Sequence, residues 1–208
     1  MKIPKILHRT VPLRTTPQVE RWWKGWAKLH PGWQHLTWRD PITNVGWETG
    51  HLWKHCCGAQ MAGMIRLELL WQYGGIYLDS DIEPVRNMDD LRGTYAFACR
   101  EDHNCVPDFV LGAPPGHPAI RECIDRVLQI PVDQLIRPEG PWISGPGVTT
   151  HVFTHRTDVS VLLPVTFAPI HWSRKHQLAG HKPHPATYGI HHWAGSWPGA
   201  STHVEENP

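Results

Sequence analysis

The segment Gly74-Gly75-Ile76-Tyr77-Leu78-Asp79-Ser80-Asp81 constrains this chain more than any other. Paired glycines tolerate left-handed backbone and so close a helix. Three apolar residues then read as a short buried strand, and two carboxylates one residue apart sit on the turn leaving it. In open α/β sheets, ligands bind beyond the carboxyl ends of strands. Carboxylates placed there reach one small volume, and their hard oxygens suit Mg2+ or Mn2+. An ion held in that way bridges a diphosphate and neutralises a leaving phosphate. Asp-x-Asp alone favours the plainer reading of a solvated acidic turn. The glycines shift the balance, because they permit close approach of backbone or ligand.

The flanking pattern supplies a frame. Residues 59–73 read as a helix with Met64, Leu67, Leu70 and Trp71 on its apolar face. Arg66 lies on it and can point to the same pocket, where its fork would hold phosphate or pair with the acidic turn. The alternative is a surface arginine paired with Glu68 or solvent. Residues 17–30 and 118–128 read as further helices. Residues 3–8, 33–38, 95–98, 109–111, 159–167 and 188–193 read as strands, and 131–147 as a Pro/Gly-punctuated stretch. Strands alternating with helices predict an α/β layered sheet. The run His191-His192-Trp193-Ala194-Gly195-Ser196-Trp197 follows a strand. Its histidine is a usable Mn2+ ligand or phosphate donor, while Ser196, the Gly195 backbone and the Trp197 indole could donate to phosphate oxygens. Core aromatic packing is the competing reading.

Composition narrows the classes. At 208 residues, 40% hydrophobic and 19% charged, the chain can bury one domain's core. A net charge of +1 gives no general drive toward nucleic acid or anionic membrane, although Arg9, Arg14 and Arg21 could form a local basic patch. No apolar run approaches the ~20 residues of a membrane span, and no apolar stretch follows Lys2 and Lys5 as in a secretion signal. The expectation is a soluble cytoplasmic protein. Its five cysteines are then reduced, with a Cys99–Cys105 bridge as the minority alternative. His51, His55, Cys56 and Cys57 match no structural zinc spacing well, and loop and core roles are expected. Trp22, Trp23 and Trp26 read as helix packing. His171, His176, His181 and His184 lie in a Pro/Gly-rich stretch that reads as an acceptor loop.

Taken in order, Ile3–His8, His30-Pro31-Gly32-Trp33 with Trp38, Arg66 to Asp81, Gly112–Pro118, Ser144–Gly147 and His191–Trp197 resemble the glycosyltransferases with a DxD sugar-binding motif. These are family 32, which includes fungal initiating α-1,6-mannosyltransferases and bacterial capsule and lipopolysaccharide sugar transferases. A more distant similarity is to the large glucosylating toxins. The resemblance covers residues 3–197. It implies a GT-A type single domain over residues 1–198, with a Rossmann-like central mixed sheet flanked by helices; the polar end of the chain, 199–208, reads separately as a disordered tail. The resemblance also implies a UDP- or GDP-linked sugar donor, Mn2+ (or Mg2+), and transfer with retention to a glycan, lipid-linked or protein acceptor.

By position, Asp81, Asp79 and His191 would hold the metal, with His191 preferred over His192. Asp79 would also contact ribose or sugar. Tyr77 would line the donor pocket, Arg66 would hold sugar or diphosphate, His8 and its strand would border the base, and Ser196 and Trp197 would close over the β-phosphate. Two departures stand out. Gly63 occupies the position where the family usually has a sugar-binding Asp, and Asp108 stands where Asn is frequent. The expectation is that Asp108 supplies the missing acidic group as part of the catalytic set. Rival readings are a nucleotide-sugar hydrolase, a degenerate non-catalytic sugar-nucleotide or glycan-binding module, and, less favoured, transfer to a modified nucleic-acid base.

Overall fold

The computed structural model describes residues 2–93 and 95–195. In chain order its elements are β1 (Ile6–Val11), α1 (Pro17–Leu29), β2 (Gln34–Arg39), α2 (Gly58–Tyr73), β3 (Gly75–Leu78), β4 (Ile82–Pro84), β5 (Ala96–Cys99), β6 (Val110–Ala113), α3 (Pro118–Leu128), α4 (Val132–Leu135), α5 (Gly140–Ser144), α6 (Pro146–His155), β7 (Val159–Leu162) and β8 (Gly189–His191). Six strands form one mixed sheet in the order β2-β1-β3-β6-β5-β7. Strand β1 runs parallel to β2 and β3, β6 runs antiparallel to β3 and β5, and β7 is parallel to β5. Strands β4 and β8 pair separately as an antiparallel ribbon.

Alternation along the short strands divides the core. Tyr77, Leu111, Ala96 and Ala98 face α2, α3 and α6, joining Leu67, Leu70, Ile120 and Phe153. Ile76, Leu78, Phe97 and Val110 face the other way, joining Trp26 of α1 with Trp33 and Phe167. Helix α1 starts on a Thr16 cap and Pro17, and its Trp26 indole donates to the Ile82 carbonyl at 2.9 Å, tying the ribbon to the helix. Helix α2 is buried on nearly all sides from Ala62 to Leu70. Its exit requires both glycines: Gly74 and Gly75 have φ of 62° and 102°. A Cβ on Gly75 would also lie 2.6 Å from the Ile6 carbonyl oxygen.

Several expectations shift. The first strand spans Ile6–Val11 rather than 3–8. The punctuated stretch from 131 holds α4, α5 and the start of α6, with Pro131, Pro141 and Pro146 at or beside helix starts, where proline costs nothing. Strand β7 stops at Leu162 because a 3-10 turn begins at Pro164. The strand expected at 188–193 shortens to β8 and joins the ribbon, not the main sheet. All five cysteines are free, so no Cys99–Cys105 bridge forms. Residues 199–208, expected as a tail, lie outside the described residues.

His8 is fully buried on β1. Its Nε2 donates to the Gly74 carbonyl at 2.9 Å, and its Nδ1 receives the Trp38 indole at 3.4 Å. It therefore supports the α2–β3 turn. Burial lowers its pKa from 6.5 to about 4, against the Gly74 bond, which favours the proton. Between these values the unfolded chain binds the proton that the fold excludes, so stability falls as pH drops through this window. His8→Gln keeps a donor but does not titrate. Urea unfolding should show native stability falling by about 2 kcal/mol more than that of His8→Gln between pH 7.5 and pH 5. Equal losses would show that His8 is not held neutral.

Candidate active site

The reversal of β6 builds the site. Strand β3 ends at Leu78 and delivers Asp79 and Asp81, while antiparallel β6 begins at Val110 and places Asp108 just before it, at the same sheet edge. Arg66 reaches this edge from α2 and is only 5% exposed. Its Nη2 lies 3.1 Å from Asp79 Oδ1 and its Nη1 3.1 Å from Asp108 Oδ2, and Nη1 also donates to the Asp108 carbonyl. The guanidinium rests on the Tyr77 ring, 4.5 Å from its centroid. The Tyr77 hydroxyl is in turn fixed by Thr10 at 2.6 Å. The surface-arginine reading fails, because Glu68 is itself buried and accepts the Thr49 amide at 2.8 Å.

Strand β8 supplies the opposite wall. His191 Nε2 lies 3.2 Å from Asp81 Oδ1, and the Ala194 amide donates to Asp81 Oδ2 at 2.7 Å. Ligand atoms of Asp79, Asp81 and His191 all fall within 4.8 Å of one another, the sole such cluster among the described residues. The buried His191 Nδ1 has no hydrogen-bond partner. His192 turns away to pair with Glu83 at 2.8 Å and stack on Trp22, so the motif's first histidine faces the carboxylates. Trp193, a residue that the sequence reading did not single out, packs 3.9 Å from the His191 ring and takes a positive φ of 53°. This backbone turn lets the Ala194 amide aim at Asp81.

Electrostatics separates the two motif carboxylates. Burial raises the Asp79 pKa to about 6, helped by Asp81 and opposed by Arg66. Burial acts on Asp81 in the same sense, but His191 and the Ala194 amide outweigh it and hold the carboxyl down at about 2. His191 is raised, as Asp81 and Asp79 overcome its own burial. Three carboxylates share the site with Arg66 and His191, an oxygen-rich set with one imidazole that suits Mn2+ or Mg2+.

Several expected roles move. Tyr77 is 1% exposed and lies beneath Arg66, so it forms a platform rather than a pocket lining. Arg66 is engaged by two carboxylates and orders them, which leaves it little to offer a diphosphate directly. His8 lies under Gly74, as above. Ser196 and Trp197 lie outside the described residues. At Gly63, a Cβ would come within 3.2 Å of Asp108 Oδ2, so the Asp108 carboxylate occupies the space that an aspartate on α2 would claim. Gly145, at the start of α6, leaves room for it from the other side at the same distance.

Removing the cation of a buried ion pair strands its partners. Arg66→Met should lower stability by about 3–5 kcal/mol in denaturant unfolding. Adding Asp108→Asn should recover part of that loss, whereas additive losses would show that Asp108 is not charge-coupled to Arg66.

Comparison with known proteins places this geometry. The family described as the glycosyltransferase sugar-binding region containing the DXD motif matches residues 16–98, which include Arg66, Asp79 and Asp81. Inositol phosphoceramide mannosyltransferase 3 of Schizosaccharomyces pombe is 29% identical over 131 residues, 59% of this chain and 36% of that protein. Mannosyl phosphorylinositol ceramide synthase CSH1 of Saccharomyces cerevisiae is 32% identical over 125 residues, 56% of this chain and 33% of that protein. The chain thus spans about a third of the length of these relatives. Among solved structures, the PaToxG glycosyltransferase superposes with a TM-score of 0.56 at 16% identity, covering 73% of this chain and 68% of that one. The UDP-bound glycosyltransferase domain of the YGT toxin gives 0.52 at 8% identity, covering 86% and 89%. Residues 16–98 thus match the DXD-motif sugar-binding region, on a fold similar to that of GT-A glycosyltransferase domains.

Proposed function

We propose that this chain transfers a hexose from a UDP- or GDP-linked sugar to a hydroxyl acceptor, with retention of anomeric configuration and dependence on Mn2+ (or Mg2+). The observation that carries this reading is the convergence of Asp79, Asp81 and His191 within 4.8 Å at the sheet edge, backed by buried Arg66. Those three side chains would hold the cation, which when bound supplies charge neutralisation at a diphosphate leaving group. The orphaned His191 Nδ1 and the surplus of carboxylate fit such a ligand. The relatives' names favour mannose as the sugar and a phosphoinositol headgroup as the acceptor, and the UDP-bound toxin domain keeps UDP in the trial beside GDP.

The protein's own groups have separable tasks. Arg66, itself buried, keeps Asp79 and Asp108 aimed and compensates their charge, which favours preorganised electrostatic stabilisation. The Ala194 amide holds Asp81 in register. Asp108, above Gly63, would face the hydroxyls of the donor sugar. Among the described residues no side chain is marked out as a protein nucleophile, which accords with same-face attack by the acceptor.

A melting screen of UDP- and GDP-sugars with and without Mn2+ tests the reading. Ligand at a hundredfold over its dissociation constant adds about 2.7 kcal/mol to the folded state. One nucleotide should raise the melting temperature only with Mn2+, and Asp81→Asn should abolish the shift. No shift with any pair would remove the donor site. Product analysis with and without acceptor then separates transfer from hydrolysis. Asp108→Ala should cut turnover by about 10²-fold, on the scale of losing one preorganised group. Gly63→Asp in that background should restore part of it, and unchanged turnover in Asp108→Ala would dismiss the role.

A further inference from the structure

A cavity of about 350 Å³ opens further along the same sheet edge. The carboxyl ends of β3, β5 and β7 and the amino end of β6 all lie there, in the order β3-β6-β5-β7. Asp79 follows β3, Asp108 precedes β6, Glu101 follows β5, and the loop through Pro169 and His171 follows β7. With strands ~4.8 Å apart, Glu101 stands roughly 10 Å along the edge from the Asp79 turn. Ala168 lines the cavity, and the carbonyl of its neighbour Phe167 accepts the His191 amide at 2.9 Å. The cavity and the carboxylate cluster thus share a wall.

Its chemistry is that of a built polar pocket. Glu101 is 12% exposed, and its Oε1 lies 2.9 Å from His171 Nε2. The His171 Nδ1 accepts the Ser173 amide, which leaves Nε2 as the N–H that donates to Glu101. A second donor, the Trp172 side chain, reaches the same carboxylate. Asp102, by contrast, spends Oδ1 on the Asn104 and Cys105 amides and so closes the loop. Arg174 stands at the rim, exposed, with no ion pair among the described residues, and Lys175 follows it. The wall therefore offers an oriented carboxylate for hydroxyls, and the mouth offers a cation for an anionic substituent.

The geometry points to this cavity as the acceptor subsite, taking a polyhydroxylated ring that bears an anionic group, with Glu101 binding ring hydroxyls and Arg174 the anion. This rests on the transfer reading above and gives its acceptor a place and two specificity-determining residues. A volume near 350 Å³ is within the range of small-molecule sites. The position, one strand beyond Asp108, sets an acceptor hydroxyl beside the sugar rather than behind the diphosphate.

Ligand-observed saturation-transfer NMR with myo-inositol 1-phosphate, myo-inositol and inorganic phosphate tests this without any donor. Inositol phosphate should receive saturation from the protein, myo-inositol less, and phosphate alone should compete weakly. Glu101→Gln and Arg174→Ala should each reduce the inositol phosphate signal several-fold. With whichever nucleotide sugar the melting screen selects, both variants should raise the KM for inositol phosphate about tenfold while the donor KM stays put. No saturation transfer, a signal indifferent to both variants, or a donor KM that rises in step would overturn the proposal. Equal binding of myo-inositol would overturn its anionic half, and full competition by phosphate its polyol half. If no nucleotide binds, the transfer reading falls, while the NMR arm still decides the cavity.

Discussion

A buried guanidinium organises this molecule. Arg66 sits inside a helix that is itself almost wholly enclosed, and a charge there is tolerable only when paired and hydrogen-bonded. The pairing comes from two carboxylates that the chain reaches by different routes, one leaving β3 and one entering β6. Each depends on local devices. Gly74 and Gly75 turn the chain so that Asp79 returns over Arg66, and the glycines at 63 and 145 leave space for Asp108. Below the guanidinium, Tyr77 and Thr10 extend the connection to β1. Helix, glycine turn and three strands are held to one geometry by a single cation.

That cation does not balance the site. Asp79, Asp81 and Asp108 face Arg66 and His191, and the surplus appears in the titration behaviour. Asp81, gripped by His191 and an amide, is pulled down to about 2, while Asp79 rises to about 6 under burial and the neighbouring charge. Two carboxylates one residue apart thus end on opposite sides of their ordinary value because their surroundings differ. Raised Asp79 makes the metal-free fold less stable as pH climbs from about 4 to 6, whereas Asp81 contributes stability that disappears only as pH falls toward 2. A fold that carries such an uneconomical arrangement gives up stability at its functional edge.

What the sequence reveals and conceals follows from the range of each interaction. The helix ending at Gly74, the strand after it and the Asp79–Asp81 turn are local, and periodicity with glycine punctuation displays them. Helices α4 and α5 hide because prolines and glycines that usually break helices here sit at their starts, across segments too short for an apolar stripe. The ribbon of β4 and β8 joins residues about a hundred positions apart, with nothing in either segment to announce the other. Asp108 over Gly63 was readable only as a departure from a family pattern. Glu101 does not stand out, since a lone glutamate in a loop carries no period, and His171 shows only as one histidine of a Pro/Gly-rich stretch that reads as an acceptor loop. Tyr77 and His8 misled for the opposite reason: polar groups near a motif invite a binding role, and burial gives them a structural one.

The reversed strand β6 explains why these long-range pieces meet. In an all-parallel sheet, only residues leaving strands would reach the carboxyl edge, and neighbouring loops would alternate with crossover helices. Running β6 antiparallel between β3 and β5 brings a residue that enters a strand to that edge, so Asp108 stands between the Asp79 turn and the Glu101 loop without an intervening helix. Acidic groups then follow one another at strand spacing, from the Asp79–Asp81–His191 cluster to the open cavity. The transfer proposed above needs two adjoining sites on one rigid rim, and this topology sets the Asp79–Asp81–His191 cluster and the cavity beside Glu101 along a single sheet edge.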